Sequence, residues 1–254
     1  MKRHQDKRIL VTGAAGGIGL ATARFFAREG ARLYLVDLPG SPLEASVPDL
    51  AQAGDVVLRH LSVTDEAAVK EAVDDMIGCY GGIDAVVNSA GVVVVEPALE
   101  GSIETFRRVL DINLTGTWIV SQAAARHMAV NGGGAIVNIS SVYGFQGAPN
   151  RTAYCASKGA VVALTDSLAV EWGPLNIRVN SVVPTGTRTP MVQGLIDRGI
   201  YNVDAVSRRT PLRRLAEPEE VAAACGFLVG QEAGMVTGHH LRVDGGWLAN
   251  GYLM

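Results

Sequence analysis

The chain has 254 residues, of which 48% are hydrophobic and 19% charged, with 22 Lys+Arg against 25 Asp+Glu. This near-balance, without a basic block, argues against nucleic-acid binding, and no apolar run approaches the length of a membrane span. The opening MKRHQDKR is followed by only a short apolar run, so we expect no signal peptide. We predict a soluble, cytoplasmic protein with a single domain over residues 1–254.

Short β-rich runs alternate with helical patterns along the chain. The helical stretches include residues 19–30, 64–81 and 102–133. Apolar strands joined by helices favour an α/β fold with a doubly wound parallel sheet of about seven strands and helices on both faces. The stretch from about 184 to 217, rich in Pro, Thr and Arg, is a candidate for a mobile lid. The predicted strands are RILVT (8–12), RLYLVD (32–37), DVVLRH (55–60), IDAVVN (83–88), GAIVNIS (134–140), IRVNSVV (177–183) and HLRVDG (240–245).

The first strand-to-helix turn reads VTGAAGGIG, residues 11–19. In such a turn Gly13 makes the tight bend, Gly17 lets the backbone approach a pyrophosphate, and Gly19 lets the helix pack on the sheet. Asp37 ends the next strand, where an acidic residue is the expected partner of an adenosine ribose. The combination predicts a dinucleotide-binding site.

With these residues in place, the chain resembles the short-chain dehydrogenase/reductase family, of the compact type of about 250 residues. The resemblance covers essentially the whole chain. The turn also fits TGxxGxxG of the family's longer epimerase-like branch, but the chain has no room for that branch's extra substrate domain. The markers occur in order as TGAAGGIG (12–19), Asp37, NSAG (88–91), Asn113, Ser141, YCASK (154–158), VNSVVPTGTRTPM (179–191) and VDGGW (243–247).

The resemblance implies a Rossmann-like fold and four catalytic residues: Asn113, Ser141, Tyr154 and Lys158. Tyr154 is expected to act as the general acid/base, and Ser141 to hydrogen-bond the substrate oxygen. Lys158 is expected to bind the nicotinamide ribose and to lower the pKa of Tyr154, because a nearby ammonium favours the phenolate. Asn113 is expected to hold a water that links Lys158 to solvent.

The resemblance also implies a set of residues that contact the cofactor. Three positions depart from the family pattern: Ser62 replaces the usual Asp at the adenine, Ser89 replaces Asn, and Thr185 replaces the glycine after Pro184. A hydroxyl at Ser62 can still accept a hydrogen bond from the adenine. The expected cofactor contacts are Gly13, Gly17, Ile18, Gly19, Asp37, Leu38, Ser62, Val63, Asn88, Ala90, Gly91, Tyr154, Lys158, Pro184 and Thr189.

The Asp37 carboxylate predicts NAD as the cofactor, because it would repel the 2′-phosphate of NADP. Accommodating that phosphate takes a nearby Arg or Lys, whereas Ala14, Ala15 and Leu38 occupy the usual places. The predicted function is therefore NAD-dependent hydride transfer between a secondary alcohol and a ketone. Two alternatives remain: a 3-oxoacyl reductase acting on a carrier-protein or CoA thioester, and a nucleotide-sensing module without catalysis.

The predicted substrate is a small to medium, largely hydrophobic alcohol or ketone, in a pocket formed by Val93, Tyr143, Phe145 and Met191. The lid arginines, which include Arg188, Arg198, Arg208 and Arg209, suit either an anionic substrate or a solvated segment. The resemblance implies a homotetramer, and the apolar stretch AVVALTDSLAVEW with the tail GWLANGYLM is consistent with it. The cysteines match no metal spacing, and His239–His240 lack a third ligand, so we predict no metal site.

Overall fold

The computed structural model describes residues 2–51 and 55–251. Seven strands form one sheet: β1 (Arg8–Thr12), β2 (Arg32–Asp37), β3 (Val56–His60), β4 (Ala85–Asn88), β5 (Gly134–Ile139), β6 (Ile177–Pro184) and β7 (His240–Val243). Their order in the sheet is β3-β2-β1-β4-β5-β6-β7, and every neighbouring pair is parallel. The predicted doubly wound parallel sheet is confirmed. The strand order reverses at β1: β2 and β3 lie on one side of β1, and β4 to β7 lie on the other.

Helices connect the strands and cover both faces of the sheet. They are α1 (Gly17–Arg28), α2 (Leu43–Ser46), α3 (Pro48–Ala51), α4 (Glu66–Tyr80), α5 (Ile103–Leu110), α6 (Gly116–Met128), α7 (Thr152–Trp172), α8 (Pro190–Asp197), α9 (Val203–Arg209) and α10 (Pro218–Val229). A π-helical turn over Asp111–Thr115 joins α5 to α6, so the helical stretch predicted over 102–133 contains a bulge. None of the helices in the described ranges has the length and apolar character needed to cross a membrane.

Alternate residues of each central strand enter two separate cores. Ile9 and Val11 of β1 join Phe26 of α1 and Leu228 of α10 on one face of the sheet. Leu10, between them, joins the core formed with α4, α6 and α7 on the other face. Because both faces are buried, the strands are apolar at successive positions, which is the pattern that identified them in the sequence.

The predicted lid follows β6 and contains α8 and α9. Its two ends are joined, since Ala216 donates from its backbone N–H to the carbonyl of Gly186, and Arg188 donates to the carbonyl of Ala216, both at 2.9 Å. The lid is therefore a closed loop with a fixed base, and its mobility remains a prediction. Of the tail GWLANGYLM, residues 252–254 lie outside the described ranges.

Candidate active site

The carboxyl ends of β1, β2, β4, β5 and β6 open into one cleft of about 370 Å³. Ligands of open α/β sheets bind at this edge, beside the point where the strand order reverses. A second hollow of about 500 Å³ adjoins it at Thr185 but contains none of the predicted catalytic residues. The predicted site residues that line the cleft are Gly13, Gly17, Ile18, Asp37, Leu38, Ser62, Val63, Ala90, Gly91, Ser141, Tyr154, Lys158, Pro184, Thr189 and Met191.

The glycine turn after β1 leaves no room for side chains. Gly13 has a φ of +68°, and a Cβ there would lie 2.8 Å from the backbone N of Ala90. Gly17 has a φ of +55°, and a Cβ there would lie 3.3 Å from the Thr189 methyl group. A Cβ on Gly19 would collide with the carbonyl oxygen of Gly13, so Gly19 closes helix α1 onto the turn without lining the cleft. The turn thus exposes backbone N–H groups at the start of α1, which is the geometry that binds pyrophosphate.

Asp37 fixes the second edge of this cradle. Its carboxylate accepts hydrogen bonds from the backbone N–H of Ala15 and of Leu38, each at 2.7 Å. The Leu38 side chain is half exposed beside it. An acidic group held in this way can accept hydrogen bonds from ribose hydroxyls at the mouth of the cleft.

The next part of the cleft wall is formed by Ser62 and Val63, together with Ile112 of the π-helical turn. The Ser62 hydroxyl contacts Thr64 Oγ1 at 2.8 Å and accepts a hydrogen bond from the Thr64 N–H at 3.3 Å. These local contacts stabilise the turn after β3. Arg108, one helical turn before Ile112, also lines the cleft, and the sequence analysis missed both residues. The i to i+4 spacing that places them on one side of the helix was visible in the sequence.

The side chain of Thr12, at the end of β1, holds the segment after β4 in place. Thr12 Oγ1 accepts hydrogen bonds from the N–H groups of Ser89 and Ala90, both at 3.2 Å, a contact that the motif-based analysis missed. Asn88, predicted to contact the cofactor, is buried, and its side-chain amide donates to Ser121 and Asn138 at 2.9 Å. The Asn88 side chain therefore ties β4 to β5 and α6 in the interior of the sheet, and a contact of Asn88 with the cofactor remains a prediction.

Ser141 and Tyr154 meet at the inner end of the cleft. Ser141 follows β5, and Tyr154 lies in the first turn of α7. Burial raises the pKa of Tyr154 to about 12, and a hydrogen bond with Ser141 acts in the opposite direction. Burial thus outweighs the hydrogen bond, and the lowering of the Tyr154 pKa that is expected from Lys158 remains a prediction.

Lys158 lies one helical turn after Tyr154, with its Nζ 5.8 Å from the tyrosine ring centroid. Its ammonium donates to the carbonyl of Ile139 at 2.8 Å, and burial lowers its pKa to about 8. A Cβ on Gly91 would lie 3.6 Å from the Lys158 nitrogen, so the segment after β4 passes directly beside it. The lysine is therefore held between β5 and the cradle.

Asn113 sits in the π-helical turn and is fully buried. Its side chain accepts from the Val92 N–H at 2.8 Å, and donates to the Val92 carbonyl at 2.9 Å and to Ser157 at 3.0 Å. Asn113 thus clamps the segment after β4 to α7 from behind the cleft. The water that it is expected to hold remains a prediction.

The substrate residues predicted from the sequence are spread more widely. Met191 lines the cleft, whereas Val93, Tyr143 and Phe145 are not among the lining residues. The Tyr143 ring packs edge-to-face on Tyr154, with 6.5 Å between the centroids. Phe145 instead lies 5.5 Å from the ring of His240 on β7, which corrects its expected position.

The residues of the cleft fit a nicotinamide dinucleotide. The glycine turn provides a backbone cradle that a Cβ at Gly13 would fill, and the Asp37 carboxylate lies at one end of it. The Tyr154 and Lys158 side chains lie at the other end. Among the described residues no His, Cys, Asp and Glu side chains cluster as metal ligands, and His240 contacts Asp166 at 3.0 Å and Ser181 at 2.7 Å.

Known proteins match the chain over nearly its whole length. A family profile described as enoyl-(acyl carrier protein) reductase matches residues 13–248. Cyclopentanol dehydrogenase of Comamonas testosteroni is 41% identical over 251 residues, which cover 98% of this chain and 100% of that enzyme. The chain belongs to the short-chain dehydrogenase/reductase family. The resemblance seen in its motifs is confirmed.

Two further relatives show the range of this family around the chain. A 3-oxoacyl-[acyl-carrier-protein] reductase of Thermotoga maritima is 38% identical over 245 residues, covering 96% of this chain and 98% of the reductase. The crystal structure of carveol dehydrogenase from Mycobacterium avium in complex with NAD has a TM-score of 0.92 at 30% identity, covering 98% of this chain and 100% of that one. Like its relatives, the chain is an oxidoreductase of the Rossmann-like type.

Proposed function

We propose that this protein is an NAD-dependent oxidoreductase that interconverts a secondary alcohol and a ketone, with Tyr154 as the general acid/base. The observation that carries the proposal is the convergence of Ser141, Tyr154 and Lys158 in the same cleft as the Asp37 cradle. When bound, the nicotinamide accepts a hydride from the carbinol carbon or donates one to the carbonyl carbon. The protein must then bind the substrate oxygen and move its proton.

Tyr154 removes the alcohol proton during oxidation and returns it during reduction. The Ser141 hydroxyl hydrogen-bonds the substrate oxygen and stabilises the negative charge that develops on it. A tyrosine whose pKa burial raises to about 12 stays protonated near neutral pH and cannot accept the alcohol proton, so oxidation needs positive charge close to the phenol to favour the phenolate. The Lys158 ammonium supplies part of this charge and is positioned for it by the Ile139 carbonyl.

The proposed cofactor preference rests on Asp37 and its surroundings. Both carboxylate oxygens are fixed by backbone N–H groups, so the negative charge cannot easily move away from an incoming 2′-phosphate. Only Arg108 and Lys158 are basic among the cleft-lining residues, and Lys158 lies at the catalytic end. The NAD-bound carveol dehydrogenase relative supports the same choice. We infer that NAD is preferred over NADP.

The proposed substrate is a small to medium, mostly apolar secondary alcohol, with a ring as the favoured shape. Val92, Met191 and Val192 line the cleft along the lid side and the segment after β4. The 41% identity with a cyclopentanol dehydrogenase supports a cyclic substrate. The reductase relative from Thermotoga maritima keeps the 3-oxoacyl alternative open, whereas a sensing module without catalysis would not need Asn113, Ser141, Tyr154 and Lys158 together.

A panel of alcohols and ketones tests the proposal, with the absorbance of reduced nicotinamide as the readout. Cyclic secondary alcohols should reduce NAD⁺, and the matching ketones should oxidise NADH. Primary alcohols and polyhydroxylated sugars of similar size serve as controls. Activity confined to acyl thioesters with NADPH would favour the reductase alternative, and binding of NAD without any turnover would favour the sensing module.

A further inference from the structure

Tyr143 contacts both the reacting group and a basic residue at the start of α7. Its ring packs edge-to-face on Tyr154, and the Arg151 guanidinium lies 5.9 Å from the Tyr143 ring centroid. Arg151 immediately precedes α7, so the positive end of that helix adds potential of the same sign. The positive charge of Arg151 therefore lies near Tyr154, and Tyr143 contacts both residues.

Arg209 of α9 approaches the same tyrosine from the lid. Its guanidinium lies 4.4 Å from the ring centroid of Trp247 and donates to Gln146 at 3.2 Å. Trp247 is buried in a small cluster with Val142 and Val183, and Tyr143 packs against that cluster. The cluster therefore brings a lid arginine and Arg151 to one side of the reacting group, although they are distant in sequence.

Neither guanidinium forms an ion pair within residues 2–51 and 55–251. In the described part of the chain, Arg151 donates to the carbonyl of Pro149 at 3.1 Å and Arg209 donates to the Gln146 side chain. Arg188 of the lid, in contrast, pairs with Glu217 at 3.0 Å.

The electrostatic effect of these arginines reaches the tyrosines around the site. The charge of Arg151 lowers the pKa of Tyr143, Tyr154 and Tyr201, against the larger upward effect of burial. The charge of Arg209 also lowers the pKa of Tyr143. The positive potential of the two arginines thus reaches buried and partly buried tyrosines, where charges interact more strongly than in bulk water.

We propose that the physiological substrate carries a carboxylate, which binds to Arg151 and Arg209 while its hydroxyl or carbonyl group reaches Ser141 and Tyr154. This inference rests on the proposed function and adds a charged subsite beside the apolar part of the cleft. A guanidinium binds a carboxylate through two parallel N–H···O hydrogen bonds, which gives orientation as well as affinity. The carboxylate would select one end of a cyclic substrate and so fix which carbon faces the site of proton transfer.

Calorimetric titration with cyclohexanecarboxylate and its neutral isostere cyclohexanecarboxamide tests the subsite, in the presence and absence of NAD. We expect the acid to bind wild-type protein at least about tenfold more tightly than the amide, since hydrogen bonds between charged groups are about twice as strong as neutral ones. Arg151→Gln and Arg209→Gln should each reduce this ratio at least about fivefold. Arg151→Lys, which keeps the charge but loses the planar fork, should retain part of it.

Arg198→Gln is the matched control, because it removes a lid arginine that is not among the charges acting on Tyr143, Tyr154 or Tyr201. It should leave the ratio of acid to amide affinity unchanged. Equal affinities of the two ligands for wild type, or a ratio that survives both Arg151→Gln and Arg209→Gln, would overturn the inference. Because the titration needs no turnover, an absence of alcohol oxidation would contradict the proposed function and still leave the subsite tested.

Discussion

The two ends of the cleft are built in different ways. At the cofactor end, backbone groups form the surface: a glycine turn, the N–H groups fixed by Asp37, and a segment supported by Thr12. At the substrate end, side chains from α7 and the lid form the surface, among them Tyr154, Lys158 and Met191. The cofactor end is specified by residues close together in sequence, whereas the substrate end is assembled from distant segments.

This difference separates what the chain shares with its family from what distinguishes it. A backbone cradle binds the same cofactor in many enzymes, because its hydrogen-bonding groups do not depend on side chains. A wall of side chains changes with each substitution, and so determines the substrate. Tyr154 lies where the two ends meet, and the largest effect of any substitution is expected there.

Replacing Tyr154 with Phe should lower kcat by about 10² to 10⁴, because it removes the group that transfers the proton. NAD affinity should stay within a few fold, since the cradle is unchanged. Steady-state rates with a cyclic alcohol and a separate NAD titration measure the two ends independently. A Phe variant that keeps more than about a tenth of the wild-type kcat would refute the assignment of Tyr154.

Asp37→Ser combined with Leu38→Arg should change the cofactor end alone. Wild type is expected to prefer NAD by at least about a hundredfold in kcat/KM, because like charges placed together cost several kcal/mol. The double variant should narrow or reverse that ratio without changing the order of preference among alcohols. Glu66→Lys, which changes the net charge by the same two units at an exposed position at the start of α4, is the control for net charge. Similar kcat/KM values for the two cofactors in wild type would contradict the prediction.

Gly13→Ala should weaken NAD binding by roughly tenfold or more and destabilise the turn, since its Cβ would lie 2.8 Å from the Ala90 nitrogen. Gly40→Ala provides a matched control. Gly40 has a φ of +80°, but nothing lies within 4 Å of a Cβ there. Both variants therefore carry the backbone strain of about 1–2 kcal/mol, and only Gly13→Ala adds a close contact. Isothermal titration of both variants with NAD makes the comparison. Equal losses of NAD affinity would show that strain, and not the close approach, determines the effect.

Gly186→Ala makes the corresponding change at the substrate end. A Cβ at Gly186 would meet the Tyr201 hydroxyl and lie 3.1 Å from Leu215, so the lid must shift to accommodate it. We expect a change of a few fold in the KM for the alcohol, with NAD affinity unaltered. Gly194→Ala on α8 has open space around its Cβ and serves as the control. A loss of NAD affinity in Gly186→Ala would show that the two ends are not separable.

The smallest expected effect concerns the stability of the cofactor end. His4 is buried against Phe25 and Phe26 of α1, and neither of its ring nitrogens has a hydrogen-bond partner in the described part of the chain. Burial lowers the His4 pKa below its ordinary value of 6.5. Below pH 6.5 the unfolded chain therefore binds a proton that the folded chain does not, so the free energy of unfolding falls as pH decreases.

As the pH decreases from 7 to 5, wild type should therefore lose more of its free energy of unfolding than a variant without this histidine. Denaturant unfolding of wild type and His4→Leu at both pH values measures how steeply the free energy of unfolding of each protein changes with pH. Carboxylates that the two proteins share contribute equally to both slopes, so the difference between the slopes reports His4. His239→Leu, which removes an exposed histidine, should keep the wild-type slope. The same pH dependence in His4→Leu and wild type would show that His4 does not contribute.

Local patterns in the sequence predicted the sheet and most of the cofactor end. The strands were identifiable because both faces are buried, and the glycine turn because Gly13 and Gly17 need positive φ. The bonds from the Asn88 amide to Ser121 and Asn138 could not be predicted from its motif, because they join β4 to segments distant in sequence. The subsite of Arg151 and Arg209 depends on contacts between segments far apart in the chain, which no local pattern reports.

The central claim is that a hydride passes from a secondary alcohol to NAD⁺ in this cleft. The most direct test supplies a cyclic secondary alcohol deuterated at the carbinol carbon and analyses the reduced cofactor by mass spectrometry. We predict that wild-type protein transfers the deuterium to the nicotinamide, and that Tyr154→Phe does so at a rate lower by about 10² to 10⁴. A reduced cofactor without deuterium, or no reduced cofactor with any secondary alcohol, would contradict the account.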